Sequence, residues 1–126
     1  MSLFFIVRKK LPSENMSHFS RTSEFEREFS KLSKKYRSLS EDLSRFERLV
    51  EATSTGSGKN FTIIHNGPEI KIVKTRLACK SLRNRSIRII YAYKESTVTF
   101  VYIEIYFKGD KENEDRERIN LYLKSL

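Results

Sequence analysis

SIRIIYAYKESTVTFVYIEIYFK, residues 86–108, decides the architecture. Two runs rich in β-branched and aromatic residues, 86–93 and 97–108, flank a short polar connection, which is the pattern of paired antiparallel strands. Upstream, FTIIH (61–65) and EIKIVKTRL (69–77) have the same character and meet at the turn residues Asn66, Gly67 and Pro68. From Phe61 onward the chain therefore reads as an antiparallel meander.

Strand side chains alternate between the two faces of a sheet. In the last run this count puts Val101, Ile103, Ile105 and Phe107 on a face expected to lie under helices. Phe100, Tyr102, Glu104, Tyr106 and Lys108 fall on the other, expected to be partly exposed. The same count groups Lys74 with Arg76, and Arg88 with Ile90 and Ala92. Three strands are thus expected to deliver Lys74, Arg76, Arg88 and Lys108 to one concave surface.

Ahead of the sheet the period changes. His18 to Thr22 is short and β-compatible, and Ser23 with Glu26 reads as a capping box that opens a helix. Phe25, Phe29, Leu32, Tyr36 and Leu39 follow as one apolar stripe. Ser40 is placed to cap a second helix, with Glu41 and Asp42 in its first turn and Leu43, Phe46, Leu49 and Val50 on its apolar side. The short joint between the two predicts an antiparallel helical hairpin. A closing helix is expected from about Glu112 to Leu126, apolar at Ile119, Leu121, Tyr122, Leu123 and Leu126. The predicted fold class is α+β: an antiparallel β-sheet of about four strands with an N-terminal helical hairpin and a C-terminal helix. Residues 1–15, ending in LPSEN, read as an N-terminal extension, and residues 16–126 as one domain.

Several functions are excluded by what the chain lacks. A single Cys79 forms no internal disulfide, and His18 and His65 stand too far apart in sequence for a zinc-spaced cluster, so no metal or other cofactor is expected. In MSLFFIVRKK the apolar run is too short for a secretory signal and its basic residues follow that run. No stretch approaches the roughly 18 uninterrupted apolar residues of a membrane span. A soluble cytoplasmic protein with no membrane partner is expected. TSTGSGKN (53–60) is no phosphate loop, because Asn60 follows Lys59 and no glycine sits five residues before Gly58.

Charge supplies the positive signal. Residues 71–94 hold 8 Lys and Arg and no carboxylate, against 12 basic and 9 acidic residues in 1–70 and 5 and 7 in 95–126. So concentrated a field attracts polyanions, nucleic acid foremost. Tyrosines among the cations add stacking surfaces of the kind that RNA readers use. Candidate RNA contacts are Lys71, Lys80, Arg83, Arg85, Tyr91 and Tyr106. The bland alternative is a solvated basic face with tyrosines serving as strand formers.

The order of elements, together with SRTSEFEREFSKLSKKYRSLSEDL, KTRLACKSL, IRIIYAY and YIEIYFKGDKENED, resembles the RelE/ParE superfamily of bacterial toxin-antitoxin toxins over Ser17 to Leu126. The resemblance implies a RelE/ParE-like fold and an mRNA interferase: a ribosome-dependent, metal-independent endoribonuclease that inhibits translation by cutting mRNA in the ribosomal A site. It also implies a cognate antitoxin as partner. In such enzymes the 2′-hydroxyl of the substrate is the nucleophile, so the protein orients the RNA and stabilises the growing phosphorane charge. Carried over, the family's basic pair falls on Lys74 and Arg76, its G-x-R-x-x-Y arginine and tyrosine on Arg88 and Tyr91, and its strand-closing cation on Lys108. The implied roles are base for Lys74, phosphate clamps for Arg76 and Arg88, and leaving-group stabiliser or acid for Lys108. Ser86 stands where that pattern has glycine. Two other functions stay open: a ParE-like DNA gyrase inhibitor, and a basic RNA-binding module without catalysis.

Overall fold

The computed structural model describes residues 18–53, 60–83 and 86–126. The extension 1–15, most of the glycine-containing loop and Arg85 lie outside them. Among the described residues the order is β1 (Phe19–Arg21), α1 (Ser23–Lys35), α2 (Leu39–Thr53), β2 (Phe61–Asn66), β3 (Ile70–Ala78), a 3-10 turn (Lys80–Leu82), β4 (Ser86–Lys94), β5 (Thr99–Phe107) and α3 (Arg116–Lys124). The fold is α+β.

The sheet has five strands in the order β1-β5-β4-β3-β2 and is mixed, not a four-stranded antiparallel one. Strands β2 to β5 pair antiparallel, as their short connections require. The added strand is β1, which pairs parallel with β5 at the sheet edge through Phe19–Phe100 to Arg21–Tyr102. Where β1 stops, Glu28 and Arg118 serve the β5 edge in place of a strand. Arg118 donates to the Ile103 carbonyl at 2.9 Å and grips both Glu28 oxygens, while Glu28 accepts the Ile105 N–H at 3.2 Å. Such a bidentate pair satisfies backbone groups that would otherwise be orphaned.

Both helix starts differ from their expected caps by one or two residues. Thr22, not Ser23, caps α1 by accepting the Phe25 N–H at 3.2 Å, because its own N–H closes the β1–β5 edge on the Tyr102 carbonyl at 3.0 Å. Ser38 rather than Ser40 precedes α2, and it holds Asp42 through its carbonyl (2.8 Å) and hydroxyl (2.7 Å). Nor do the helices form a self-contained hairpin. Each lies mainly on the sheet, α1 on β5 and α2 on β3, since their apolar stripes face the strands and not each other.

One bulge revises the expected faces. Strands β4 and β5 pair as Arg88–Tyr106 and Ile90–Glu104, then shift so that Tyr91 pairs with Tyr102 and Ile103 is the extra residue. A single added residue inverts every side chain beyond it. Phe100 and Tyr102 therefore join Ile105 in the core under α1 and α2, whereas Val101 and Ile103 turn to the side of α3. On the first side the Phe25 ring stacks on Tyr102 at 4.7 Å, and the Tyr102 hydroxyl donates to Glu47 at 2.9 Å. On the second, Ile119 of α3 packs against Ile72, Ile90 and Ile103. That contact covers only part of the sheet face. Lys74, Arg76 and Arg88 stay outside it, although Ile90, the cross-strand partner of Lys74, lies within it.

Candidate nucleic-acid interface

Register brings the basic residues together. Arg76, Arg88 and Tyr106 form one row across β3, β4 and β5, and Thr62, Lys74, Ile90 and Glu104 form the next row across β2 to β5. Lys108 follows the end of β5, and Arg116 opens α3. Among the described residues, Lys74, Arg76, Arg88, Lys108 and Arg116 line one open cleft of about 400 Å³, together with Asn60, Thr62 and a single carboxylate, Glu114. All four residues expected to carry the chemistry are in that wall. Five cations against one acid give the cleft a positive field that would attract anions.

Arg76 and Arg88 are direct cross-strand partners, a like-charge pairing that opposes folding unless an anion screens it. Burial first, and then the Arg76 charge, pull the Arg88 guanidinium below its usual value, while Tyr106 pulls the other way. Tyr106 is buried beside Arg88, and its hydroxyl makes no hydrogen bond among the described residues. Burial, and after it the Glu114 and Glu104 charges, push that phenol up to about 12.

The acidic connection after β5 folds back over the cleft. Glu104, fully buried, accepts the Asp115 N–H at 2.9 Å and the Lys111 ammonium, which fixes the start of α3 above the sheet. Asp115 then caps α3 by accepting the Arg118 N–H at 3.0 Å. One residue earlier, Glu114 accepts from Lys74 Nζ at 2.9 Å and from Arg116 Nε at 2.6 Å. Burial alone would raise this carboxyl, but hydrogen bonds from Lys74, its own backbone and Arg116 outweigh it and hold the group down at about 2. Lys108 Nζ donates to the Glu112 carbonyl at 3.0 Å.

No family model matches this chain, and no curated protein matches its sequence. The site therefore rests on its own geometry.

The expected RNA-contact residues divide. Tyr91, 1% exposed, lies on the helix side against Phe46 at 5.9 Å, so its ring is sealed from any ligand. Along β4 the alternation is unbroken, so Tyr91 falls on the face opposite Arg88, Ile90 and Ala92, and only its fit to the tyrosine pattern made it look like a site residue. Tyr106 is the cross-strand neighbour of Arg88, but it is buried and the Lys111 ammonium sits over its ring at 5.3 Å, so it offers no face to a base. Lys71 pairs across the sheet with Tyr93, reaches Glu95 at 3.9 Å and stands outside the cleft. Lys80 and Arg83 are exposed on the 3-10 turn, whose Lys80 N–H is held by the buried Asp42 at 3.2 Å, also outside the cleft. Arg85 lies outside the described residues.

Arg116, Thr62, Asn60 and Glu114 line the cleft without having been singled out in the sequence. The signal available was the run of mixed charge at 111–118, just ahead of and into the closing helix. A second groove of about 570 Å³, between α1 and the β5 edge, mixes Lys31, Lys35 and Lys111 with Glu28 and Asp110 over Leu32 and Phe107. Its charges nearly balance, so the first cleft carries the larger positive excess. Among the described residues no group of His, Cys, Asp and Glu is arranged to hold a metal, and no helix is long and apolar enough to cross a membrane.

Proposed function

We propose that this chain is a RelE-like toxin of a type II toxin-antitoxin system, with a RelE/ParE-like arrangement of helices around the sheet, acting in the cytoplasm as a metal-independent mRNA interferase on the ribosome. The observation that carries the reading is the convergence of Lys74, Arg76, Arg88 and Lys108 on one cleft. In this reading Arg76 and Arg88 clamp the scissile phosphate and stabilise the charge that grows on it, and Lys108 stabilises the leaving oxygen. The antitoxin, as partner, neutralises that basic wall.

Lys74 has a narrower role than the resemblance implies. An ammonium that donates to Glu114 at 2.9 Å is not accepting a proton, so acting as base for the 2′-hydroxyl requires its release from that carboxylate. The same contact favours a second reading, an RNA-binding module without catalysis.

Controlled expression followed by primer extension on translated messages separates these. Growth arrest with discrete cuts, both abolished in Arg76→Ala/Lys108→Ala, is the expected result. Arrest with intact messages and inhibited supercoiling would replace the reading with gyrase inhibition. Salt-sensitive RNA binding without arrest would leave only the binding module.

A further inference from the structure

Glu114 is an anomaly in the cleft. Its side chain is 5% exposed although it belongs to a connection, and among the described residues it is the one acid beside five lining cations. Neither of its partners needs it to escape an unpaired burial, since Arg116 is 67% exposed and Lys74 24%. Its two oxygens divide between them, one on Lys74 Nζ and one on Arg116 Nε, as two non-bridging oxygens of a phosphodiester would.

Resting on the RNA-binding reading above, we infer that the Glu114 carboxylate is an internal stand-in for a substrate phosphate, and that Lys74 and Arg116 form a phosphate subsite which RNA enters by displacing it. Arg116 becomes a substrate-contacting residue, and the free protein is held back by its own side chain. The backbone permits the exchange. Lys111 on Glu104 holds the segment before Glu114, and the Asp115 N–H on Glu104 and the Arg118 N–H on Asp115 hold it after, so Glu114 turns out without loosening α3. The low ionisation of Glu114 keeps it an anion throughout the working pH range, so competition with phosphate is constant.

The test titrates wild type, Glu114→Gln and Arg116→Gln with inorganic phosphate and with a short single-stranded RNA at several salt concentrations. Glu114→Gln is expected to bind both ligands about tenfold more tightly, because an internal competitor for charged hydrogen bonds is removed. Its salt slope for RNA should steepen by about 0.7, since one more counterion is released where a carboxylate had stood. Arg116→Gln should weaken both ligands while melting like wild type. A folded Glu114→Gln that binds no more tightly, or less, overturns the inference, because Glu114 would then only be positioning Lys74. If that variant fails to fold, Arg116→Gln decides: unchanged affinity overturns the inference. Phosphate affinity that responds in both variants while no protein binds RNA would sink the RNA reading and leave the subsite. RNA binding that ignores both variants would do the reverse.

Discussion

The two faces of the sheet make opposite use of the same strands. On the side of α1 and α2 the wall is closed: Tyr91, Tyr93, Phe100 and Tyr102 pack with Phe25 and Phe46, and their polar tips are hidden or bonded inward. On the side of α3 Ile72, Ile90, Ile103 and their neighbours are covered, and Lys74, Arg76 and Arg88 sit beside them in the cleft. Stability is concentrated on one side and charge on the other. Cations packed beside one another on a strand oppose folding, and the aromatic layer behind them supplies the apolar burial that offsets this.

The contrast can be broken most sharply from the closed side. Phe25→Ala removes a fully buried ring stacked on Tyr102 and should destabilise the protein by about 3–5 kcal/mol, read from a urea midpoint. RNA affinity of the remaining folded fraction should not move. A parallel loss of intrinsic affinity would mean that the two faces are not separable.

A smaller effect sharpens the open side. Glu114 titrates at about 2 in the fold against an ordinary 4.5. A depressed carboxylate contributes stability that is complete above the unfolded value and is lost as pH falls through the folded one. Between pH 4.5 and 2, wild type should therefore lose stability more steeply than Glu114→Gln, and above that window the two should run parallel. Identical acid-denaturation curves would show that the Lys74 and Arg116 contacts do not hold in solution.

The smallest expected effect is at Lys71, a cation of the same basic stretch that lies outside the cleft. Lys71→Ala should leave RNA affinity unchanged and shift stability by less than about 0.5 kcal/mol, as surface changes usually do. An affinity loss equal to that of Lys108→Ala would mean that overall charge, not the cleft, holds the RNA.

Strand existence and the grouping of Lys74, Arg76, Arg88 and Lys108 were legible because period-2 alternation survives along β3, β4 and the end of β5. What misled was local. The bulge at Ile103 leaves no mark in a run of β-formers, and it sends Phe100 and Tyr102 to the closed side along with Ile105. Tyr91 fits a family pattern by spacing, although alternation from Arg88 already puts it on the opposite face, where it packs on Phe46 of α2. The parallel pairing of β1 and the return of Glu114 onto Lys74 join residues 81 and 40 positions apart, as in Phe19–Phe100 and Lys74–Glu114, and only the tertiary fold brings such pairs together.

The central claim is that the cleft grips RNA through its phosphates, and the salt dependence of binding tests it most directly. For a short single-stranded RNA, Arg76→Ala/Lys108→Ala should flatten the slope of log K against log salt by about 1.4, one released counterion's share for each cation removed. A variant that folds normally and keeps the wild-type slope and affinity would contradict the account.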